Sequence, residues 1–251
     1  MTTAPSSASD DRRFVDRDLA GARFVRCDLS GAVLRGGLVA GVEIDSPWLI
    51  EGDNTLVVNG VDVAPYVDAQ LDLRFPGRAL RRATDPEGLR HAWAAIERTW
   101  ADTITRVASM PPGTPDVSVD GEWSFAQTVR HLVMATDTWL GRAILEQQQP
   151  YHPLGQPHAE YATDGYDTSV FAGGTPAFAD VLAARESRLA MVRDLLADVT
   201  QTDLEVPRRH PWAPEHQVTT LSCLHTILEE EWEHHRYAVR DLDVIDARRT
   251  T

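Results

Sequence analysis

The sequence predicts an α+β protein that is mainly α, in which a short β-helix precedes a four-helix bundle. Large apolar residues recur every five positions near the start of the chain, and from Asp85 onward they recur at the three- and four-residue steps of a helix. We expect a disordered tail over residues 1–10, the β-helix with a terminal hairpin over 11–63, a short helix and linker over 64–85, and the bundle over 86–248.

The five-residue period begins at Phe14 and continues without a break to Leu49. A helix would spread such a period around its circumference, and a flat strand would alternate its faces, so the pattern favours short stacked coils with inward apolar residues. The segments DLAGARF at 18–24 and DLSGAVL at 28–34 resemble the pentapeptide-repeat right-handed β-helix family. Four pentapeptides form one coil in that family, so a resemblance over residues 12–50 implies about two coils.

A hairpin and a short helix are predicted between the repeats and the bundle. Asn59-Gly60 separates two apolar arms and is the turn pair favoured in two-residue hairpins. We expect this hairpin to extend the β-helix, and Pro65 to open a helix that ends near Leu71.

Four long stretches have the apolar spacing of helices and are bounded by residues that typically begin or end a helix. They predict a four-helix bundle. Asp85 supplies an N-cap before a first-turn proline, and Ser124 with Gln127 fits a capping box. The expected helices cover about 86–109, 124–147, 175–199 and 219–247. Residues 148–174 form a connection of a length that is often functional.

Charge and composition exclude several classes of function. The chain has 24 basic and 38 acidic side chains, a net charge of −14, and every basic side chain is arginine. The absence of lysine excludes Schiff-base catalysis and P-loop chemistry, and the acidic balance argues against nucleic acid and anionic membranes as partners. No apolar run reaches the ~20 residues of a membrane helix. Cys27 and Cys223 form no motif, so we expect a reducing, cytoplasmic setting.

The last helix has two polar residues within its core-facing stripe. A buried carboxylate is costly unless it is paired, so Glu231, with His235 four residues later, indicates a metal ion or a proton-sharing partner. Glu230 falls beside the stripe and is expected to be solvated, whereas His234 is also within reach of the site. His131 of the second helix is the candidate third ligand. The stripe is Leu221, Leu224, Leu228, Glu231, His235, Ala238 and Leu242.

Two motifs resemble the DinB-like four-helix bundle superfamily: WSFAQTVRHL at 123–132 and EEEWEHHR at 229–236. The resemblance covers residues 86–248. It implies a divalent metal held by one histidine of the second helix and by two residues four apart on the last. On this sequence those ligands are His131, Glu231 and His235. Many members have histidine at the position of Glu231. The resulting two-histidine, one-carboxylate set suits Mn, Fe or Ni, and also Zn.

The resemblance also implies a function. Characterised relatives include transferases and isomerases that use thiols such as bacillithiol or mycothiol. The leading hypothesis is therefore a metal-dependent transferase that activates a low-molecular-weight thiol for attack on a small electrophilic substrate. A metal-dependent hydrolase and a non-catalytic binding or scaffold protein with a vestigial site remain open alternatives. A homodimer is a further open prediction, because the family often dimerises.

Overall fold

The computed structural model describes residues 13–249, and its internal contacts divide the chain into two units at the Asp45–Ser46 bond. The sequence placed the corresponding boundary near residue 63. Segment 46–63, including the hairpin, belongs to the helical unit.

The described part of the first unit, residues 13–45, has regularly spaced turns and no strands. Between residues 13 and 45 the backbone has tight turns at Gly21, Gly31 and Gly41, which are ten residues apart. Each glycine has a positive φ, and each turn is closed by a three-residue backbone hydrogen bond, such as Ala22 N–H to the Leu19 carbonyl at 3.0 Å. Every residue of this segment is exposed, so the apolar period encloses no interior. The β-helix predicted here is therefore not shown, although the repeated corners are present.

The second unit opens with the predicted hairpin. Strands β1 (Val57–Val58) and β2 (Val61–Asp62) pair antiparallel around Asn59-Gly60, both of which have positive φ, as such a turn requires.

Helix α1 (Ala64–Arg74) follows the hairpin, and a 3₁₀ helix (Arg78–Arg82) forms where a linker was predicted. Ion pairs join the two, including Arg78 to Asp72 at 2.6 Å and Arg81 to Asp68 at 2.7 Å.

The four long helices of the bundle are present. Helix α2 covers Pro86–Ser109, α3 covers Phe125–Thr136 and continues as a π-helical segment (Asp137–Ile144), α4 covers Phe178–Asp198, and α6 covers Thr220–Arg249. The Asp85 carboxylate accepts from the Gly88 N–H at 2.9 Å, and Ser124 and Gln127 form the capping box. Among residues 13–249, no helix combines the length and apolar character needed to cross a membrane.

A one-turn helix and a two-stranded hairpin between α4 and α6 were not predicted. Helix α5 (Gln201–Leu204) is a single turn, and β3 (Pro207–Arg209) pairs antiparallel with β4 (Gln217–Thr219). The hairpin leads directly into α6 and therefore fixes where that helix begins.

The core of the bundle lies between α2, α3, α4 and α6. Trp93, Ile96 and Trp100 of α2 are almost fully buried, as are Leu132 of α3 and Val192 of α4. The predicted stripe of α6 faces this core: all of its members except the half-buried Leu221 are buried, and Glu231 is only 1% exposed. The hydrophobic periodicity thus identified the inner face of α6 correctly.

Candidate metal centre

Glu231 forms a buried ion pair in the bundle core. Both of its carboxylate oxygens accept from the Arg185 guanidinium of α4, at 2.6 and 2.5 Å, and Arg185 is 2% exposed. Burial raises the pKa of the Glu231 carboxyl, while the charge and hydrogen bonds of Arg185 oppose that rise. The costly buried carboxylate noticed in the sequence is therefore compensated by arginine.

His235 is an imidazole of the apolar core. Its Nε2 lies 2.9 Å from the Thr103 hydroxyl of α2, and the rings of Phe75, Trp100 and Trp232 contact it edge-on. Burial lowers the pKa of His235 to about 4, so the ring is neutral at physiological pH. The structure thus gives both Glu231 and His235 other partners and does not bring them together with His131.

A different Glu–His pair, one residue earlier on α6, meets His131. His131 Nε2 lies 3.4 Å from Glu230 Oε2, and His234 Nε2 lies 3.1 Å from the same oxygen. One donor atom from each of the three residues lies within 4.8 Å of the others. Of the three predicted ligands, His131 lies in this cluster. Its other two members are Glu230 and His234, whereas the sequence predicted Glu231 and His235.

The rotation of a helix explains this shift. One residue along an α-helix turns a side chain by about 100°, so the pair Glu230 and His234 lies on the flank of the buried stripe. Their side chains are 31% and 16% exposed, against 11% for His131. Helix α6 contains two Glu–His pairs with the same spacing, and the burial argument selected the one in the core.

The long loop fixes the orientation of His131. Its Nδ1 lies 3.0 Å from the backbone carbonyl oxygen of Gln156, and because a carbonyl only accepts, this nitrogen carries the proton. In the neutral ring the Nε2 lone pair then faces the Glu230 carboxylate. Two electron-rich atoms repel each other there unless a cation or a proton lies between them, so the arrangement fits a bound metal ion.

Trp123, just before α3, forms a wall beside both imidazoles. Its ring centroid lies 4.8 Å from that of His131 and 6.0 Å from that of His234, and the two imidazoles are 4.7 Å apart. Trp123 therefore packs against both imidazoles, and the Gln156 carbonyl fixes the orientation of His131.

The environment of Glu230 favours the ionised carboxylate, which is the form that binds metal ions. Burial by itself would raise the pKa of Glu230, but the hydrogen bonds of His131 and His234, together with their charges when they are protonated, outweigh burial and hold that pKa below its usual range. Burial lowers the pKa of His234, which favours its neutral form. An ionised carboxylate and neutral imidazoles are the forms that bind divalent metals.

The spacing of these atoms also fits a metal. Two ligands about 2.0–2.1 Å from a tetrahedral zinc ion lie roughly 3.4 Å apart. The two nitrogen-to-oxygen distances of 3.4 and 3.1 Å are close to that separation.

Comparison with known proteins identifies the family of the helical unit. A family model described as DinB superfamily matches residues 95–238, which is more than half of the 251-residue chain and includes the three residues of the cluster. No curated protein and no solved structure matches the chain at a significant level. The chain belongs to the DinB superfamily.

Proposed function

We propose that His131, Glu230 and His234 bind one divalent transition-metal ion, and that the protein is a transferase that uses this ion to activate a small thiol. The observation that carries the proposal is the convergence of two imidazole Nε2 atoms on one carboxylate oxygen, at 3.4 and 3.1 Å. The proton on His131 Nδ1, held by the Gln156 carbonyl, leaves its Nε2 lone pair for the metal.

Three protein ligands indicate a catalytic rather than a structural site. Structural zinc sites are closed by four protein ligands, whereas catalytic sites keep a position for water or substrate. Two imidazoles and one carboxylate suit Zn, Ni, Mn or Fe. When bound, such a metal lowers the pKa of a coordinated thiol so that the thiolate attacks an electrophile at neutral pH.

In this proposal the protein side chains hold the metal ion and control access to it. Glu230 supplies the negative charge that a divalent cation needs, and its partly exposed side chain leaves one side of the cluster open to solvent. Trp123 covers another side and limits access of water to both imidazoles. A low-molecular-weight thiol of the mycothiol or bacillithiol type and a small electrophile are the substrates that we propose.

Metal content tests the site. Purified protein should contain close to one transition-metal ion per chain by elemental analysis, and apo protein should bind one in calorimetry. Glu230→Gln should weaken binding more than about 100-fold, because loss of second-sphere partners alone costs 10–100-fold. Glu229→Gln is the matched control, since Glu229 is the exposed neighbour on the same helix and should leave affinity unchanged.

Thiol chemistry tests the activity. The metal-loaded protein should accelerate conjugation of a small thiol to an electrophile, and His234→Ala should abolish this while the far-ultraviolet circular dichroism stays helical. A protein that binds metal but conjugates no thiol would contradict the transferase proposal and leave the metal site intact. Equal metal loss in the Glu229 and Glu230 variants would contradict the site itself.

A further inference from the structure

Arg130, which directly precedes His131 on α3, is a buried cation whose hydrogen-bond partners are all neutral. Its residue is 6% exposed, and within residues 13–249 the structure gives its guanidinium no carboxylate partner. Burial lowers the pKa of Arg130, but an arginine side chain keeps its proton in proteins. Because a buried charge is costly unless other polar groups replace its hydration, these neutral partners stabilise it.

The partners are three backbone carbonyls of the long loop, residues 148–174. Arg130 Nε donates to the Leu154 carbonyl at 2.9 Å, and its two terminal nitrogens donate to the Gly174 and Ala172 carbonyls, each at 3.4 Å. Leu154 lies near the beginning of the loop, whereas Ala172 and Gly174 lie at its end. The Ala172 N–H also donates to the Pro153 carbonyl at 2.7 Å. One guanidinium thus joins both ends of the loop to α3.

Gln156 connects these ends to the metal centre. Its backbone N–H donates to the Arg130 carbonyl at 3.0 Å, and its own carbonyl accepts from His131 Nδ1 at 3.0 Å. Pro157 follows, and a proline favours an extended conformation of the residue before it, which limits the directions that the Gln156 carbonyl takes. Both backbone groups of Gln156 are therefore bound to consecutive residues of α3.

The tautomer of His131 depends on this carbonyl. A neutral imidazole has one ring proton, and the hydrogen bond of one nitrogen decides which nitrogen carries it. With the Gln156 carbonyl in place, Nδ1 carries the proton and the Nε2 lone pair is available. Without the carbonyl, the Glu230 carboxylate 3.4 Å from Nε2 favours the other tautomer, in which Nε2 carries the proton and binds no metal.

We propose that Arg130 is a positioning residue of the metal centre. By joining both ends of the loop to α3, its guanidinium holds the Gln156 carbonyl against His131 Nδ1 and so keeps Nε2 free to bind the ion. This inference rests on the metal site proposed above. Groups that hold a metal ligand by a hydrogen bond typically contribute about 10–100-fold to affinity, and Arg130 acts one step further from the ion.

The zinc affinity of full-length apo protein tests this role. Arg130→Met keeps an apolar side chain of similar reach but removes all three hydrogen bonds, so zinc should bind about tenfold more weakly in competition with a chelator. Arg90→Met is the matched control, since Arg90 also donates to three backbone carbonyls and should leave zinc affinity unchanged. These carbonyls, at the end of α4, belong to Leu196, Ala197 and Val199. An effect of Arg130→Met no larger than that of Arg90→Met would overturn the proposal.

The tautomer of His131 in the metal-free protein tests how Arg130 acts. Nitrogen-15 spectra of the histidines, recorded at an alkaline pH where imidazoles are neutral, distinguish a proton on Nδ1 from one on Nε2. The wild type should carry the proton on Nδ1, and Arg130→Met should show a mixture of both forms. An unchanged tautomer would overturn the proposal even if zinc affinity fell, because Arg130 would then support only the fold.

Arg130→Lys provides the test if the methionine variant does not fold. Lysine keeps the buried charge but replaces the planar fork with a single ammonium group, so it should bind zinc more weakly than wild type while the far-ultraviolet circular dichroism stays helical. Wild-type affinity in this variant would contradict the proposal, because the fork that joins the loop ends would then be dispensable. A wild-type protein that binds no zinc or other divalent transition metal would refute the metal site itself, whereas the tautomer measurement still decides whether Arg130 positions His131.

Discussion

Arg185 and Glu231 are buried together, and removing either one alone leaves an unpaired charge in the core. Breaking a buried ion pair in this way typically costs about 3–5 kcal/mol, while replacing both partners with apolar residues of similar volume is often neutral. We therefore expect Arg185→Met to lower the free energy of unfolding by about that amount, and Arg185→Met/Glu231→Leu to recover most of it. Urea denaturation measures both, and a double variant as unstable as the single one would contradict this account.

His235 makes stability depend on pH. Its pKa is about 4 in the folded protein, and about 6.5 in an unfolded chain, so between these values the unfolded state binds the additional proton. Stability from this residue is complete above pH 6.5 and is lost as the pH falls toward 4. The loss between pH 7 and pH 5 amounts to about 2 kcal/mol.

The comparison that isolates this effect uses His235→Asn, which cannot be protonated in this range. Urea denaturation at pH 7 and pH 5 should show a smaller decrease in the variant than in the wild type. Parallel pH profiles for the two proteins would show that His235 is protonated equally in the folded and unfolded states.

At the residue scale, the sequence predicted a ligand pair on the buried face of α6, whereas the structure brings a pair on its flank together with His131. Burial of Glu231 and His235 followed correctly from their spacing with Leu228 and Leu242, because apolar periodicity reports the core. Glu230 and His234 carry no such signal, since a partly exposed pair of polar residues has the sequence pattern of an ordinary solvated face. The guanidinium of Arg185, which is 46 residues away in sequence, pairs with Glu231, so Glu230 and not Glu231 belongs to the proposed metal site.

Among the elements, the π-helical end of α3 creates a close contact with the long loop. A Cβ on Gly141 would lie 2.9 Å from Pro150 Cβ and 3.2 Å from Gln147 Oε1. Alanine usually stabilises a helix by about 1 kcal/mol relative to glycine. We expect Gly141→Ala to do the opposite and to destabilise by about 1–3 kcal/mol, because the loop must move.

Thermal unfolding monitored by circular dichroism measures this change. Gly173→Ala is the control, because a Cβ there meets no heavy atom within 4 Å and its φ is not positive. A Gly141→Ala variant with a raised melting temperature would show that the loop accommodates the methyl group without cost.

The elements that were predicted and those that were missed differ in their local signals. Helix α2 and helix α3 began where cap residues and apolar spacing agreed, and the hairpin at Asn59-Gly60 formed around its favoured turn pair. The π-helical segment and the β3–β4 hairpin depend instead on packing against distant residues. The long loop was identified by its length, but the role of the Gln156 backbone carbonyl cannot be read from a side chain.

For the whole molecule, the division after Asp45 predicts that the helical unit is stable without the first unit. Since contacts within the chain separate residues 13–45 from residues 46–249, a protein that begins at Ser46 should retain the helical unit. We expect its melting temperature and its metal content per chain to match those of the full-length protein at concentrations where both are monomeric. Calorimetry and elemental analysis measure these quantities, and an unfolded or metal-free truncation would show that the first unit supports the site.

The hydrogen bond from His131 to the Gln156 carbonyl would couple the proposed metal to the loop in both directions. A cation bound to Nε2 would draw electrons from the ring and make the Nδ1 proton a stronger donor, which would strengthen this hydrogen bond. By linkage, whatever holds the loop in place raises metal affinity by the same factor. The rate at which a protease cleaves after the aromatic residues of the loop should therefore change with metal loading. This measurement does not depend on a spectroscopic signal of the metal.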